Sequence, residues 1–285
     1  MTDRSVRYVG RAANVEDRDV KIKQSQEEAM SGDIITLEVS DHIALVTLNR
    51  PPVNALNRAM RERIVSVFDE ISERSDVRVA ILTGAGKVFC SGADLKDRPD
   101  ATALGAFHSH NRITRETGNC IRECSKPVIA AINGVALGAG LGLMASCDIF
   151  YASEEAVFGM PEINVGLAGG AAMLNTLFGR SLMRRMFFTG YRVPAAELYR
   201  LGIIEACTAS ENLIPEAMKV AREIAAKSPI AIEYAKQATN MVELMPPRDA
   251  YRFEQNITMA LSKTEDAKEA RQAFLEKRAP VFKGR

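Results

Sequence analysis

The sequence predicts an α/β fold followed by a region of helices. Two apolar strands, 77–83 and 128–132, each lead into a glycine-rich turn that opens a helix. Further short strands alternate with amphipathic helical segments up to about residue 158, and helical periodicity takes over after about residue 191. A cycle of strand, strand and helix is typical of stacked α/β units. This order of elements is the main reason for predicting an α/β architecture.

Three regions follow from changes in composition along the chain. Residues 1–33 are polar and weakly patterned, which predicts an extension that is flexible or lies on a neighbouring surface. Residues 34–192 hold the strand-rich segments of the predicted α/β core. Residues 193–285 form the predicted helical tail. A helical tail beyond a complete α/β domain favours packing on a partner subunit, so we expect a homo-oligomer.

The first elements of the core are a hairpin and a helix. Residues 35–39 and 43–48 are apolar runs on either side of a turn sequence, Ser40-Asp41-His42, so they predict paired strands. Asn57 precedes apolar residues at four-residue spacing, which predicts an N-cap and an amphipathic helix. Three more segments of the core have a clear pattern: a helix at 104–124 and short strands at 148–151 and 156–158.

The tail is predicted to contain four helices. Pro194 and Pro215 stand near the starts of the first two, where the missing N–H of proline costs nothing. Two more helices are expected near 230–243 and 248–277, from apolar residues spaced at helical intervals. The pattern after residue 191 therefore predicts helices alone.

The composition is that of an ordinary globular enzyme, with 47% hydrophobic and 26% charged residues among 285. The formal net charge of +1 gives no global field for nucleic acid or an acidic membrane, so we expect neither as a partner. No apolar run reaches the roughly 20 residues that span a bilayer. The polar, acid-containing start lacks a signal core, and with reduced thiols it predicts a cytoplasmic protein. The cysteines expected to be reduced are Cys90, Cys120, Cys124, Cys147 and Cys207.

Two glycine-rich turns are candidate functional segments: FCSGADLK at 89–96 and LGAGLG at 137–142. At such turns backbone N–H groups lack a ladder partner, and a following helix adds its positive end. Two turns brought together would hold one carbonyl oxygen about 3 Å from each of two N–H donors and so stabilise an enolate. Glu162, in the apolar stretch FGMPEI, is the one strong catalytic carboxylate. The combination favours proton transfer next to a carbonyl.

Each of these features has a structural alternative. In the structural alternative, the Glu162 side chain stabilises the turn after Pro161, and the glycines allow the chain to reverse direction tightly. If Glu162 is buried, however, desolvation raises its pKa and strengthens it as a base. His108 and His110 lack a cluster of further ligands, so no metal site is predicted. Ser91 lacks a partnered histidine and aspartate, which argues against serine-type acyl transfer.

Seven short motifs stand in order along the chain. They are LNRP at 48–51, VNALN at 53–57, SGADL at 91–95, INGVALGAG at 132–140, CDI at 147–149, FGMPE at 158–162 and AFLEKRAPVF at 273–282. Each motif is weak alone. Their order and spacing together resemble the enoyl-CoA hydratase/isomerase (crotonase) superfamily, from about residue 34 to the end of the sequence.

The resemblance implies a crotonase-like spiral of ββα-type repeats with a C-terminal helical trimerisation region, in a trimer or a dimer of trimers. It implies an acyl-CoA thioester as substrate and no cofactor, since CoA is part of the substrate. The thioester oxygen would accept hydrogen bonds from the N–H groups of Ala93 and Ala139. The stretch Ala93-Asp94-Leu95-Lys96 would lie along the adenine and pantetheine. Walls of the acyl pocket are expected from 97–118 and from the tail.

Two departures from the family pattern bear on the reaction. Ala139 stands where the family usually has glycine, although its backbone N–H is retained. Gly142, expected at the substrate site, stands where the hydratases carry a first glutamate, which pairs with a second at the position of Glu162. Two carboxylates can orient one water and move its protons, and glycine can do neither.

Because only one of the two glutamates is present, the resemblance favours isomerisation. Family isomerases move a double bond between the 3 and 2 positions with a lone glutamate that matches Glu162. Hydratase (lyase) activity stays open, because some hydratase-lyases of the family also lack the first glutamate. A non-catalytic acyl-CoA-binding homologue is a further alternative. RNA binding, which some members show, is disfavoured by the near-zero net charge.

Overall fold

Ten strands form two sheets in the computed structural model, which describes residues 32–100 and 102–285. The predicted extension, residues 1–33, lies outside the described residues except for its last two. The strands β1 to β10 are, in chain order, Ile35–Ser40, Ile43–Leu48, Val79–Gly84, Val88–Cys90, Val128–Ile132, Val135–Leu137, Ile149–Ser153, Val157–Gly159, Arg192–Pro194 and Ala206–Thr208.

The larger sheet has six strands in the order β1-β2-β3-β5-β7-β10. Its β1–β2 hairpin is antiparallel and turns at Asp41 and His42, which both have positive φ angles. The other neighbours in this sheet are parallel. The smaller sheet has the order β4-β6-β8-β9, and its β8–β9 pair is antiparallel. The predicted hairpin and the predicted buried strands are therefore confirmed.

Ten α-helices accompany the sheets within the described residues. Each of the strand pairs β3–β4, β5–β6 and β7–β8 adds one strand to the larger sheet and one to the smaller sheet, and a helical segment follows. This repeat confirms the predicted spiral of ββα-type units. The helices α1 to α10 are Arg58–Glu73, Ala106–Arg122, Ala139–Ala145, Ala171–Leu177, Arg180–Thr189, Ala195–Arg200, Leu213–Ala225, Pro229–Val242, Pro247–Leu261 and Glu265–Glu276.

The larger sheet is buried on both faces, because successive side chains of a strand point to opposite sides. In β3, Ala80 and Leu82 belong to the main hydrophobic core, which also contains the apolar face of α1. Val79 and Ile81 alternate with them and pack in a second core with the small residues of α7. The uninterrupted apolar sequence of β3 therefore reflects two separate packing partners.

Capping residues decide where two of the helices begin. Asn57 caps α1 as predicted, since its Oδ1 accepts the N–H of Met60 at 3.0 Å. Thr264 caps α10 in the same way, and its Oγ1 accepts the N–H of Ala267 at 3.1 Å. The prediction of one helix over 248–277 is therefore wrong, because this cap ends one helix region and starts the next.

The region after residue 192 also contains strands, which the helical pattern missed. β9 lies across that boundary and pairs with β8, and β10 pairs in parallel with β7. The expectation of helices alone after residue 191 is thus corrected. Strands of three residues carry almost no periodicity, and their pairing depends on the neighbouring strand. Elements on both sides of residue 192 share sheets, and Ile34–Arg285 forms one unit.

All five cysteines are free, and Cys90, Cys124 and Cys147 are buried. Burial raises the pKa of the Cys90 thiol to about 11, so this side chain stays neutral in its apolar surroundings. Across the described ranges, none of the helices combines the length and the hydropathy that a membrane crossing requires.

A buried lysine fixes α8 to the α/β core. Lys236 Nζ donates to Asp148 Oδ2 at 2.9 Å and to the carbonyl oxygens of Ile121 and Lys126 at 3.1 and 3.0 Å. The same oxygen of Asp148 accepts the N–H of Val128 at 2.6 Å. The Lys236 side chain is only 3% exposed, so these acceptors replace the water that the ammonium group has lost.

The variant Asp148→Ala should lower the free energy of unfolding by about 3 kcal/mol, because it leaves a buried ammonium group uncompensated. Denaturant titration of the purified protein measures this loss. The matched control is Asp76→Ala, since Asp76 pairs with Arg74 on the surface and its loss should change stability little. Equal denaturation midpoints for the two variants would contradict the role of this network.

Candidate active site

A cavity of about 440 Å³ lies where the two glycine-rich turns meet. Its walls come from four segments, 93–98, 107–118, 138–143 and 160–173, and from residues of and before α1. The predicted contribution of 97–118 is confirmed. The predicted contribution of the tail is not found, because no described residue beyond Met173 lines the cavity. Its place is taken by the segment that follows β8.

The two turns are in direct contact through glycine. Gly92 has a φ angle of +105°, which L-residues rarely adopt. A Cβ atom at this position would lie 2.9 Å from the carbonyl oxygen of Leu137 and 3.6 Å from the backbone nitrogen of Ala139. Glycine therefore allows the first turn to approach the second, as the sequence analysis required for a shared site.

The amides of Ala93 and Ala139 are available to a ligand. The N–H of Leu56 donates to Gly92 O at 2.8 Å, and the N–H of Asp94 donates to Leu56 O at 3.0 Å. Because an extended chain alternates its amides, the N–H of Ala93 points away from Leu56. Ala139 is the first residue of α3, where amides lack partners within the helix. Both residues line the cavity, and neither amide has a protein acceptor within the described part of the chain.

An ion pair holds the first turn in shape. Arg50 Nη2 lies 2.8 Å from Asp94 Oδ2, and Arg50 Nη1 donates to the carbonyl oxygen of Ala55 at 2.8 Å. Asp94 Oδ1 accepts the N–H of Lys96 at 3.1 Å and so caps the helical turn that follows. This N–H and then the Arg50 guanidinium hold the pKa of Asp94 below its usual range. The helix that opens at this turn is a short 3₁₀ helix, Leu95–Asp97.

Only part of the stretch expected to bind CoA lines the cavity. Ala93, Asp94 and Leu95 line the cavity, whereas Lys96 is exposed and is not among the lining residues. The side chain of Leu95 is also open, with 56% exposure of the residue. An apolar side chain left so open beside a cavity offers contact area to a ligand.

Glu162 presents a buried carboxylate to the same cavity. It lies in the first turn of the 3₁₀ helix Pro161–Val165, and its Oε2 is fully enclosed without a hydrogen-bond partner among the described residues. Burial is the main cause that raises the pKa of this carboxyl group, and a hydrogen bond from its own backbone N–H opposes it. A carboxylate kept in this state is a stronger base than one in water.

Gly138 makes room for that carboxylate. A Cβ at this position would overlap Glu162 Oε1 and lie 3.2 Å from its Cδ. Gly138 also has φ +53° and ψ −120°, a backbone conformation that only glycine adopts without strain. The residue after it is Ala139, so one turn positions both the carboxylate and a free amide.

Gly142 also lines the cavity, and a methionine fills the space beside it. A Cβ at Gly142 would lie 3.0 Å from the Sδ atom of Met173. A Cβ at Gly118 would lie 2.9 Å from Met173 Cε, so two glycines receive this one side chain. Where the resemblance places a first glutamate, the chain therefore has a thioether. No local sequence pattern connects Met173 with Gly142, so the sequence alone does not predict this contact.

Two basic side chains of the cavity were also missed or left without a role. Arg61 of α1 is 3% exposed and lines the cavity, and the sequence pattern around it predicts no such role. His110 lines the cavity as well, and burial followed by the charge of Arg61 lowers its pKa. Within the described ranges, no three or more His, Cys, Asp or Glu side chains are grouped to hold a metal ion.

Comparisons with known proteins give one consistent result. The family described as Enoyl-CoA hydratase/isomerase matches residues 38–285. The putative enoyl-CoA hydratase/isomerase YngF of Bacillus subtilis is 40% identical over 259 residues, which cover 89% of this chain and 99% of YngF. The (7aS)-7a-methyl-1,5-dioxo-2,3,5,6,7,7a-hexahydro-1H-indene-carboxyl-CoA hydrolase of Mycobacterium tuberculosis is 37% identical over 235 residues, 82% of this chain and 95% of the hydrolase. The crystal structure of an enoyl-CoA hydratase from Bacillus anthracis has a TM-score of 0.82 at 34% identity, covering 88% of this chain and 99% of that chain.

The variant Gly138→Ala should be less stable by about 1–3 kcal/mol, because it places a side chain in a glycine-only conformation and against the Glu162 carboxylate. Denaturant titration measures the loss. The matched control is Gly179→Ala, where φ is −58° and a Cβ would meet nothing within 4 Å. If the Gly138 variant is as stable as the control, the turn does not have the geometry described.

Proposed function

The chain belongs to the enoyl-CoA hydratase/isomerase family, enzymes of acyl-CoA metabolism, and we propose that its main reaction is the isomerisation of a 3-enoyl-CoA to a 2-enoyl-CoA. One observation carries this proposal. The Glu162 carboxylate, whose Oε2 is enclosed and has no hydrogen-bond partner among the described residues, shares a cavity with the free amides of Ala93 and Ala139. A thioester bound there has a base and two oxyanion donors, which are the groups that proton transfer next to a carbonyl requires.

The first step is removal of a proton from C2. Glu162 takes the proton, the electrons of the C2–H bond move into the thioester, and the charge on its oxygen is stabilised by the amides of Ala93 and Ala139. Each well-placed oxyanion donor lowers the barrier by about 3–4 kcal/mol. The raised pKa of Glu162 brings it closer to that of the carbon acid and so favours the transfer.

The second step returns the same proton at C4. The double bond then lies between C2 and C3, conjugated with the thioester, and Glu162 is again ionised. The reaction needs no water and no redox change, so no cofactor enters the proposal, and CoA is part of the substrate. We also propose that the stretch 94–96 follows the CoA portion out of the cavity, which suits the exposure of Leu95 and Lys96.

The surroundings of Gly142 support isomerisation over hydration. Hydration needs a water that is both oriented and deprotonated, and a second carboxylate would serve that purpose. Position 142 supplies none, and the Met173 thioether beside it has no proton to give or take. Hydration is the second candidate, because a structural relative at 34% identity is named an enoyl-CoA hydratase. A purely binding role is disfavoured, since a binding protein has no use for a desolvated, unpaired carboxylate.

We further propose that the chain assembles with copies of itself through its last helices. Several large apolar side chains of the region after residue 240 are more than half exposed, and exposed apolar surface favours association. They are Leu244, Tyr251, Met259, Phe274, Leu275 and Val281.

The variant Glu162→Gln should lower the rate of isomerisation by about 10²- to 10⁴-fold, because the amide cannot accept the proton from C2. Formation of the conjugated thioester from a 3-enoyl-CoA, followed by ultraviolet absorbance, measures the rate. The control is Glu155→Gln, which changes an exposed carboxylate on the turn between β7 and β8. Wild-type rates in the Glu162 variant would remove this residue from the mechanism.

A second carboxylate at position 142 should shift the reaction towards hydration. In the double variant Gly142→Glu/Met173→Ala, the ratio of hydration to isomerisation should rise by about 10²-fold, because the glutamate takes the space of the thioether and can activate a water. Parallel assays with 2-enoyl-CoA and 3-enoyl-CoA give the ratio. Met173→Ala alone is the control, and an equal rise in that variant would contradict the argument.

The oligomer proposal predicts a mass in solution of three or six chains by light scattering. Phe274→Glu should lower this mass, since it places a charge on an apolar surface that would be covered in the assembly. Ser210→Glu adds the same charge at an exposed position before α7, outside the last helices, and should leave the assembly intact. A monomeric wild type, or equal dissociation of both variants, would contradict the proposal.

A further inference from the structure

Arg61 is a buried cation that forms no ion pair with a carboxylate among the described residues. The residue is 3% exposed, and no ion pair or side-chain hydrogen bond of its guanidinium occurs among the described residues. Its neighbours in sequence and space behave differently, because Arg50 pairs with Asp94 and Arg58 pairs with Glu62. Arg98 and Arg115 also line the cavity without an ion pair in the described part of the chain, but both are exposed, so burial is what distinguishes Arg61.

A guanidinium group in this state is costly. Its proton cannot be given up to escape burial, so the charge persists even though desolvation lowers the pKa of Arg61. An uncompensated buried charge is strongly unfavourable, and buried arginines are normally paired for that reason. The guanidinium nitrogens are not among the fully enclosed unpartnered atoms of the described residues, so they open onto the cavity that Arg61 lines.

The groups around Arg61 do not neutralise it. Asp97 lines the same cavity and its charge favours the ionised guanidinium, but no ion pair or hydrogen bond joins the two side chains. Asp97 is also exposed, and its Oδ2 accepts the backbone N–H of Arg58 at 2.5 Å. The thiol of Cys90 is close as well, and burial keeps it protonated. His110 lines the same cavity and adds no negative charge. No carboxylate among the described residues is paired with Arg61, so a ligand that enters the cavity can supply the paired counter-charge.

We infer that Arg61 binds a carboxylate at the far end of the acyl chain, so that the substrate is a CoA thioester of a dicarboxylic acid. This inference rests on the proposed function, since it takes the thioester to lie at Glu162, Ala93 and Ala139. Arg61 is on α1, a different wall of the cavity from the 3₁₀ turn of Glu162. A guanidinium matches a carboxylate with two parallel hydrogen bonds, and within a closed cavity such a pair is strong and selective.

Binding measurements by calorimetry test the inference without any turnover. Adipoyl-CoA and hexanoyl-CoA differ only in the terminal carboxylate, and free CoA reports on the rest of the ligand. Wild-type protein should bind adipoyl-CoA about 10- to 100-fold more tightly than hexanoyl-CoA. Arg61→Met should abolish this difference and leave the affinity for free CoA unchanged, while Arg61→Lys should keep part of the preference.

Two outcomes overturn the inference. One is a wild type that does not prefer adipoyl-CoA. The other is an equal loss of affinity for all three ligands in folded Arg61→Met or Arg61→Lys, which would assign the guanidinium to a CoA phosphate. Circular dichroism measures whether Arg61→Met is folded. If it is not, Arg61→Lys, which keeps the positive charge, provides the second variant. A preference for adipoyl-CoA without isomerase activity would leave this inference standing and reject the proposed function, so the two failures are distinguishable.

Discussion

The close approach of the Glu162 carboxylate to the backbone of Gly138 is the constraint on which the site depends. Any side chain at position 138 would take the space of this carboxylate, and the positive φ angle of the turn excludes one as well. The next residue, Ala139, carries a free amide. One glycine thus allows a base and an oxyanion donor to lie beside each other. Within the part of the chain that the structure describes, no hydrogen bond to Oε2 offsets the cost of burying the carboxylate.

The rest of the fold supplies rigid support for this arrangement. The second turn follows β6, and Gly92 lets the first turn pack against it. The ion pair between Arg50 and Asp94 stabilises the conformation of the first turn, so the amide of Ala93 keeps its direction without a ligand. Preorganised donors of this kind need no rearrangement when charge develops on a substrate, which is why electrostatic stabilisation is effective in enzymes.

Local features of this protein could be predicted from the sequence, and distant ones could not. Asn57 is predicted by a capping pattern, the buried strands by apolar runs, and Glu162 by a charge in an apolar stretch. Each of these patterns extends over only a few residues. The roles of Met173 and Arg61 depend on residues that lie close to them in space but far from them in sequence. The break at Thr264 was missed because one apolar periodicity continues through both helices, and β10 was missed because three residues show no period.

The central claim is that the Glu162 carboxylate removes a proton from C2 of a bound thioester. The most direct test is exchange of the C2 protons of butanoyl-CoA in D2O, followed by NMR over a series of pH values, because a saturated thioester can react no further. The base must be ionised and burial raises its pKa, so exchange should increase with pH through a midpoint above the ordinary value of glutamate, about 4.3. Exchange no faster than in buffer, or exchange independent of pH across that range, would contradict the account.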